Sequence, residues 1–169
     1  MAIRLTRRSW QLAAVLLVGG AINGAMIESS LALPDAIRQL KGTWRGSGTA
    51  SPSKGARERI SCRVKYDVKA TTVTQSVRCA GADYRINVSG SFRVQGNNIS
   101  GSWKESHFNY SGGVSGSVKG NSIFIRILGV NFSGRMNIKV SGRSQTVSIT
   151  RYDVNTKKYR SVANIRLRR

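Results

Sequence analysis

The chain is short of nearly everything that builds an active site. Its 169 residues hold one histidine, two cysteines and seven acidic side chains. Outside the first 32 residues the acids are Asp35, Glu58, Asp67, Asp83, Glu105 and Asp153, scattered with no two at a catalytic spacing. No clustered metal-ligand pattern, no G-x-S-x-G elbow and no phosphate-cradling glycine loop ahead of a helix is present. The nearest approach to chemistry is Glu105 with His107, which share a face if both lie on a strand. A pair with no third group lacks the geometry of a site, so it reads as part of a polar turn between the strands around Trp103 and Tyr110. A single histidine without a partner is likewise a poor axial haem ligand. The sequence therefore predicts a protein that is not an enzyme and carries no cofactor or metal.

Long apolar runs are missing too, with one exception. Leu12 to Ala25 (LAAVLLVGGAINGA) is largely apolar, but shorter than the roughly 20 residues that span a bilayer. Arg4, Arg7 and Arg8 precede it, and Ser30-Leu31-Ala32 places small residues at the −3 and −1 positions. These are the three parts of a secretory signal, and cleavage is expected after Ala32; an uncleaved anchor is the alternative. Thr6-Arg7-Arg8-Ser9-Trp10-Gln11 resembles a twin-arginine signal, yet Trp10 and Gln11 depart from its usual residues, so the general secretory route is expected. Residues 33–169 are then one periplasmic or secreted domain, no longer tied to a membrane. In that compartment two cysteines read as one disulfide.

Positive charge is what the chain has in excess. Lysine and arginine number 28 against seven acids, a net charge of +21. Without the leader the balance is 25 against 6, or +19. Such a surface attracts polyanions by default. The candidate contacts lie on the outward phase of the strands: Arg63, Lys65, Arg78, Arg85, Arg126, Arg135, Lys139, Arg166 and Arg168. One reading is a binding surface for anionic envelope lipid or an acidic or phosphorylated polysaccharide. The other is a charged coat that keeps an exported β protein soluble. Nucleic acid is not expected in that compartment, and the aromatic interleaving that base stacking needs is absent.

Strand signals dominate the rest. Ile60, Cys62, Val64, Tyr66 and Val68 alternate with polar residues, and so do Val73, Gln75, Val77 and Cys79. A hairpin centred between Ala70 and Thr71 sets Val68 opposite Val73, Val64 opposite Val77 and Cys62 opposite Cys79, within disulfide reach. Further along, Val94-Gln95-Gly96-Asn97-Asn98-Ile99 is echoed by Val118-Lys119-Gly120-Asn121-Ser122-Ile123 and, more loosely, by the segment around Gly142. Glycine and asparagine tolerate the positive φ of tight hairpin turns. The prediction is an all-β fold: an antiparallel up-and-down meander of about 8–10 strands with a short helix at Pro34–Leu40. Closure into a small barrel hides its edges; a two-sheet sandwich is the alternative. A membrane-spanning barrel is excluded because its lumen would have to hold Arg63, Lys65, Arg78, Arg85, Arg126, Arg135 and Lys139 with only a few acids to neutralise them. Gly112, Gly116 and Gly134, on the inward phase, either let strands bend sharply or leave room for a ligand. Trp44, Trp103 and Phe132 either line a lumen for a small apolar ligand or pack as plain core.

The short helix followed by Gly42-Thr43-Trp44 resembles the opening of lipocalin-type barrels, where a G-x-W motif starts the first strand and its tryptophan plugs the barrel base. The resemblance implies an arginine near the chain's end packed over Trp44, a place for Arg166 or Arg168. The start Gly42-Thr43-Trp44-Arg45-Gly46-Ser47-Gly48, taken with one disulfide, is also similar to small exported β-barrel proteins of alphaproteobacteria, a group that supplies no activity to carry over.

Overall fold

The computed structural model describes residues 32–51, 57–83, 85–130 and 132–169. The leader and its cleavage site up to residue 31 lie outside the described residues. One helical turn, α1 (Asp35–Arg38), precedes ten strands: β1 (Gly42–Ala50), β2 (Glu58–Lys69), β3 (Thr72–Ala80), β4 (Arg85–Gln95), β5 (Asn98–Glu105), β6 (Tyr110–Lys119), β7 (Ser122–Gly129), β8 (Phe132–Ser141), β9 (Ser144–Asp153) and β10 (Lys158–Arg168). Each strand pairs antiparallel with its sequence neighbours, and β1 pairs with β10, so the meander closes into a barrel. Closure leaves no open sheet edge, which settles barrel over sandwich.

The β2–β3 register is the one that alternation predicts. Val68 faces Val73, Val64 faces Val77, and Cys62 faces Cys79, to which it is disulfide-bonded. Ala70, at the turn, takes φ +46°. The three echoed turns bend at Gly96, Gly120 and Gly142, all with φ between +55° and +57°, where a side chain would be strained. The inward glycines serve the coiling of the sheet. A Cβ on Gly112 would sit 1.8 Å from the Leu128 carbonyl oxygen, and one on Gly116 2.2 Å from that of Phe124. The missing side chains let neighbouring strands approach and do not open space for a ligand.

Alternation sends most apolar side chains inward and most charges outward. Trp44, Val94, Ile123, Val140 and Leu167 are fully buried inside, joined by Ala36, Ile37 and Leu40 of α1 and the turn after it. The helix thus closes the end of the barrel at which β1 begins. It is shorter than the Pro34–Leu40 expectation because only one turn is hydrogen-bonded before the chain enters β1.

Replacing Cys62 and Cys79 together by alanine should lower the unfolding free energy by about 3 kcal/mol, since the bridge closes a loop of 17 residues. Urea denaturation of the variant against the oxidised protein measures this.

Candidate functional site

The closed end is built on Trp44. Its indole N–H donates to the Leu40 carbonyl at 2.7 Å, and the Arg169 guanidinium lies 4.9 Å over its ring. Arg169 also donates to the Lys41 carbonyl at 2.7 Å, and its own carbonyl accepts from Arg143 at 2.8 Å. The arginine over the tryptophan is therefore Arg169. Arg166 and Arg168, the expected pair, alternate with buried Ile165 and Leu167 and point outward. Beside the plug, Gln145 donates to the Tyr66 hydroxyl at 3.1 Å. Burial pushes that phenol up to about 12, against the smaller downward pull of the Gln145 hydrogen bond. Gln145 Oε1 is the buried side-chain polar atom left without a partner among the described residues.

Towards the other end the lining loosens. Val77, Trp103, Ile127, Met136 and Ile149 face inward and pack on the core, yet are only half-buried. Trp103 meets Phe132 edge-on, with centroids 6.2 Å apart, and donates to the Leu128 carbonyl at 3.1 Å. The Arg151 guanidinium lies 5.6 Å from the Phe132 ring. Of the three expected lumen residues, the structure brings Trp103 and Phe132 together at this end and puts Trp44 at the opposite one.

Glu105 is buried and fully occupied. Its Oε1 accepts the Asn87 and His107 N–H groups at 3.0 Å each, and its Oε2 accepts the Phe108 N–H at 2.6 Å. Burial works to raise its pKa, but the three N–H donors and the nearby His107 imidazole outweigh it, leaving the carboxyl below its ordinary 4.5. A carboxylate so engaged is an anchor for the β5–β6 turn. It is not placed as a base for His107 to share.

The strongest electrostatic feature lies outside. In the closed register Arg168 is directly opposite Arg45, Arg45 opposite Arg63, and Arg63 opposite Arg78. One row of exposed guanidinium side chains therefore crosses β10, β1, β2 and β3 on consecutive strands, which lie about 4.8 Å apart. The next outward row runs Arg166, Ser47, Ser61, Ala80, Arg85. Between the rows the wall forms a shallow depression of about 600 Å³ lined by Arg45, Arg63, Arg78, Arg85 and Asn87. None of these arginines forms an ion pair among the described residues. The wall across β4–β6, by contrast, is mostly serine (Ser89, Ser91, Ser100, Ser102, Ser115 and Ser117), and its cations Arg93 and Lys104 lie opposite serines.

Five of the nine predicted contacts fall in this band: Arg63, Arg78, Arg85, Arg166 and Arg168. Lys65 is the next outward residue on β2, between Thr43 and Ser76. Arg126 and Arg135 face each other on β7 and β8, away from the band, and Arg135 stacks at 4.0 Å on Tyr159. Lys139 lies between Ser122 and Thr146. Arg45, central to the row, was hidden inside the G-x-W start; its signal was the alternation of Thr43, Arg45 and Ser47 against buried Trp44.

No family model and no curated protein matches the chain. Among solved structures, it is similar to Rv2717c from M. tuberculosis, with a TM-score of 0.65 and 14% identity over 82% of this chain and 99% of that one. It is also similar to the S-type phycobiliprotein lyase of Guillardia theta, with a TM-score of 0.58 and 8% identity over 79% and 89% of the two chains. At these identities the likeness is one of fold, a small β-barrel compatible with the lipocalin-like opening.

Two outcomes follow from this geometry. Directly opposed like charges destabilise a sheet, so Arg63→Gln should raise stability by about 0.2–1 kcal/mol in urea denaturation at low salt, a gain that shrinks as salt screens the row. Glu105→Gln should cost about 1–3 kcal/mol at neutral pH through poorly satisfied N–H groups. Because the folded carboxyl is held below its ordinary pKa, its stabilisation is present above the unfolded value and is lost as pH falls through the folded one. The gap between the two proteins, followed by denaturation across the acid range, should therefore close on the acid side of 4.5.

Proposed function

We propose that the chain is an exported, non-catalytic binding protein that holds a phosphate-bearing envelope polyanion along its arginine band. The observation that carries this reading is the row Arg168, Arg45, Arg63, Arg78, four opposed cations with no acid among them. Each pair in it works against the fold, and the β4–β6 wall has the neutral serines that would avoid that cost. Guanidinium groups offer planar, bidentate hydrogen bonding to phosphate oxygens, and neighbouring strands repeat that donor at a spacing short enough for one polymer to bridge several. The half-open depression suits a chain lying across strands better than a small molecule enclosed by them.

A second reading is supported by the loosened lining near Trp103 and Met136, with Phe132 edge-on to Trp103. In a barrel plugged at one end by Trp44, half-buried aliphatic and aromatic walls at the other suit a small apolar ligand, as the lipocalin-like fold suggests. The likeness to a phycobiliprotein lyase fits a barrel that handles small ligands, without naming one for this chain.

The first reading is tested with inorganic polyphosphate in titration calorimetry. The protein should bind it with an affinity that falls steeply as salt rises. Arg45→Gln/Arg63→Gln/Arg78→Gln should weaken binding by about tenfold or more, while Arg126→Gln/Arg135→Gln should change it far less. Equal losses in the two variants would reduce the band to a general charge effect. A ligand retained through desalting of the native protein, with its mass read by mass spectrometry, would favour the lumen instead.

A further inference from the structure

We propose that the open end of the barrel docks on an anionic lipid bilayer through the tips of its β5–β6, β7–β8 and β9–β10 turns. Those tips, with the strand ends that lead into them, carry the most exposed large apolar side chains of the described residues: Val130 at 92%, Val154 at 75% and Phe108 at 48% in the turns, and Tyr110 at 57% and Leu128 at 50% at the adjoining ends of β6 and β7. Among the described residues the other exposed large apolar side chains are Phe124, midway along β7, and Tyr159, which packs against Tyr152 and Arg135 on the outer wall. The turns at the plugged end offer Ala70-Thr71, Gly96-Asn97, Gly120-Asn121 and Gly142-Arg143 instead. Scattered exposed apolar residues are ordinary on any protein; five gathered on three neighbouring turns and their adjoining strand ends, all at one end, are not.

The charge around these tips selects the partner. Lys157 and Lys158 follow Val154 across the β9–β10 turn, and Lys104 lies beside the β5–β6 turn. The two acids of this sector are both engaged: Glu105 is buried under its three N–H donors, and Asp153 pairs with Arg160 at 3.1 Å while accepting the Asn155 and Thr156 N–H groups. Glu58 starts β2 and Asp83 lies in the β3–β4 connection, across the mouth. Apolar tips with lysines at two of the three turns match the acyl boundary and anionic headgroups of a bilayer surface. Separate protruding tips suit that soft interface better than the flat, packed core of a protein–protein contact. Docked this way, the loosened lumen around Trp103 and Phe132 faces the membrane. The surface is separate from the arginine band on β10–β3, so either can fail alone.

The test uses the full chain. Its cysteines are both in the disulfide, so Val130→Cys provides a unique thiol for the environment-sensitive dye acrylodan, and Asn121→Cys a control at the plugged end. With vesicles of phosphatidylcholine and phosphatidylglycerol, dye emission at position 130 should move to shorter wavelength and that at 121 should not; pure phosphatidylcholine should give little shift at either. Adding Leu128→Asp and Val154→Asp to the labelled protein should weaken vesicle binding by about tenfold or more while leaving polyphosphate binding intact. No shift at 130, equal shifts at 130 and 121, or vesicle binding lost only with Arg45→Gln/Arg63→Gln/Arg78→Gln would overturn the proposal. A tip that mediates protein contacts instead would show itself by a shift at 130 without vesicles, as protein concentration rises, and would overturn it too.

Discussion

The pairing of β1 with β10 is the contact on which the rest of this molecule depends. Six residue pairs, from Arg45–Arg168 to Ala50–Ala163, join the first strand to the last. They satisfy the backbone groups of two strands that would otherwise be open edges, and they lock the in-and-out phase of all ten strands into one consistent ring. A slip of one residue at this seam would turn the buried Ile165 and Leu167 outward and their neighbouring arginines into the core. The latch at the closed end reinforces the seam. Arg169 extends β10 across Trp44, and its hydrogen bonds to Lys41 and from Arg143 tie the chain's end to the helix turn and to the β8–β9 turn.

The same seam assembles the arginine band. Arg45 and Arg168 come from opposite ends of the domain and meet only because the ring closes; Arg63 and Arg78 meet through the disulfide hairpin. The register that keeps Cys62 opposite Cys79 fixes Arg63 opposite Arg78 one residue away. Stabilising covalent closure and destabilising charge repulsion are thus built into one ladder. The bridge, at about 3 kcal/mol, outweighs the repulsion of the one pair beside it, Arg63 and Arg78, at most about 1 kcal/mol, so this hairpin tolerates its share of the charged row.

Much of this was legible in the sequence, and the limits follow from what alternation encodes. Period-two patterning, turn glycines and the cysteine register gave the meander and its β2–β3 pairing, because all are local. The basic residues were assigned correctly to the outer face, but with no grouping among them. Their gathering depends on which strands become neighbours across the seam, and no local pattern records that. Arg45 was overlooked for the same reason, and Arg169 because the terminal residue follows the last ladder pair and so lies beyond the alternation that pointed to Arg166 and Arg168. The inward glycines read equally well as bends or as ligand space; the proximity of neighbouring carbonyls, a tertiary fact, decided for bends.

One irregularity shows how a single residue divides the two surfaces. The register of β10 against β9 shifts between Ser161 and Ala163, so Val162 is a bulge. Beyond it Ile165 and Leu167 point inward and Arg166 and Arg168 join the outer band. Before it the phase is reversed: Arg160 aligns with inward Arg151, Lys158 aligns with Asp153, and Tyr159 turns outward against Tyr152 and Arg135. Without the extra residue Tyr159 would enter the lumen and Arg160 would leave Asp153. That aspartate, tied to Arg160 and to the turn's own N–H groups, is what shapes the β9–β10 tip and holds Val154 out. The bulge therefore lets one strand serve a cationic wall at one end and an apolar, lysine-flanked tip at the other, two chemistries that an unbroken alternation would have forced onto the same face.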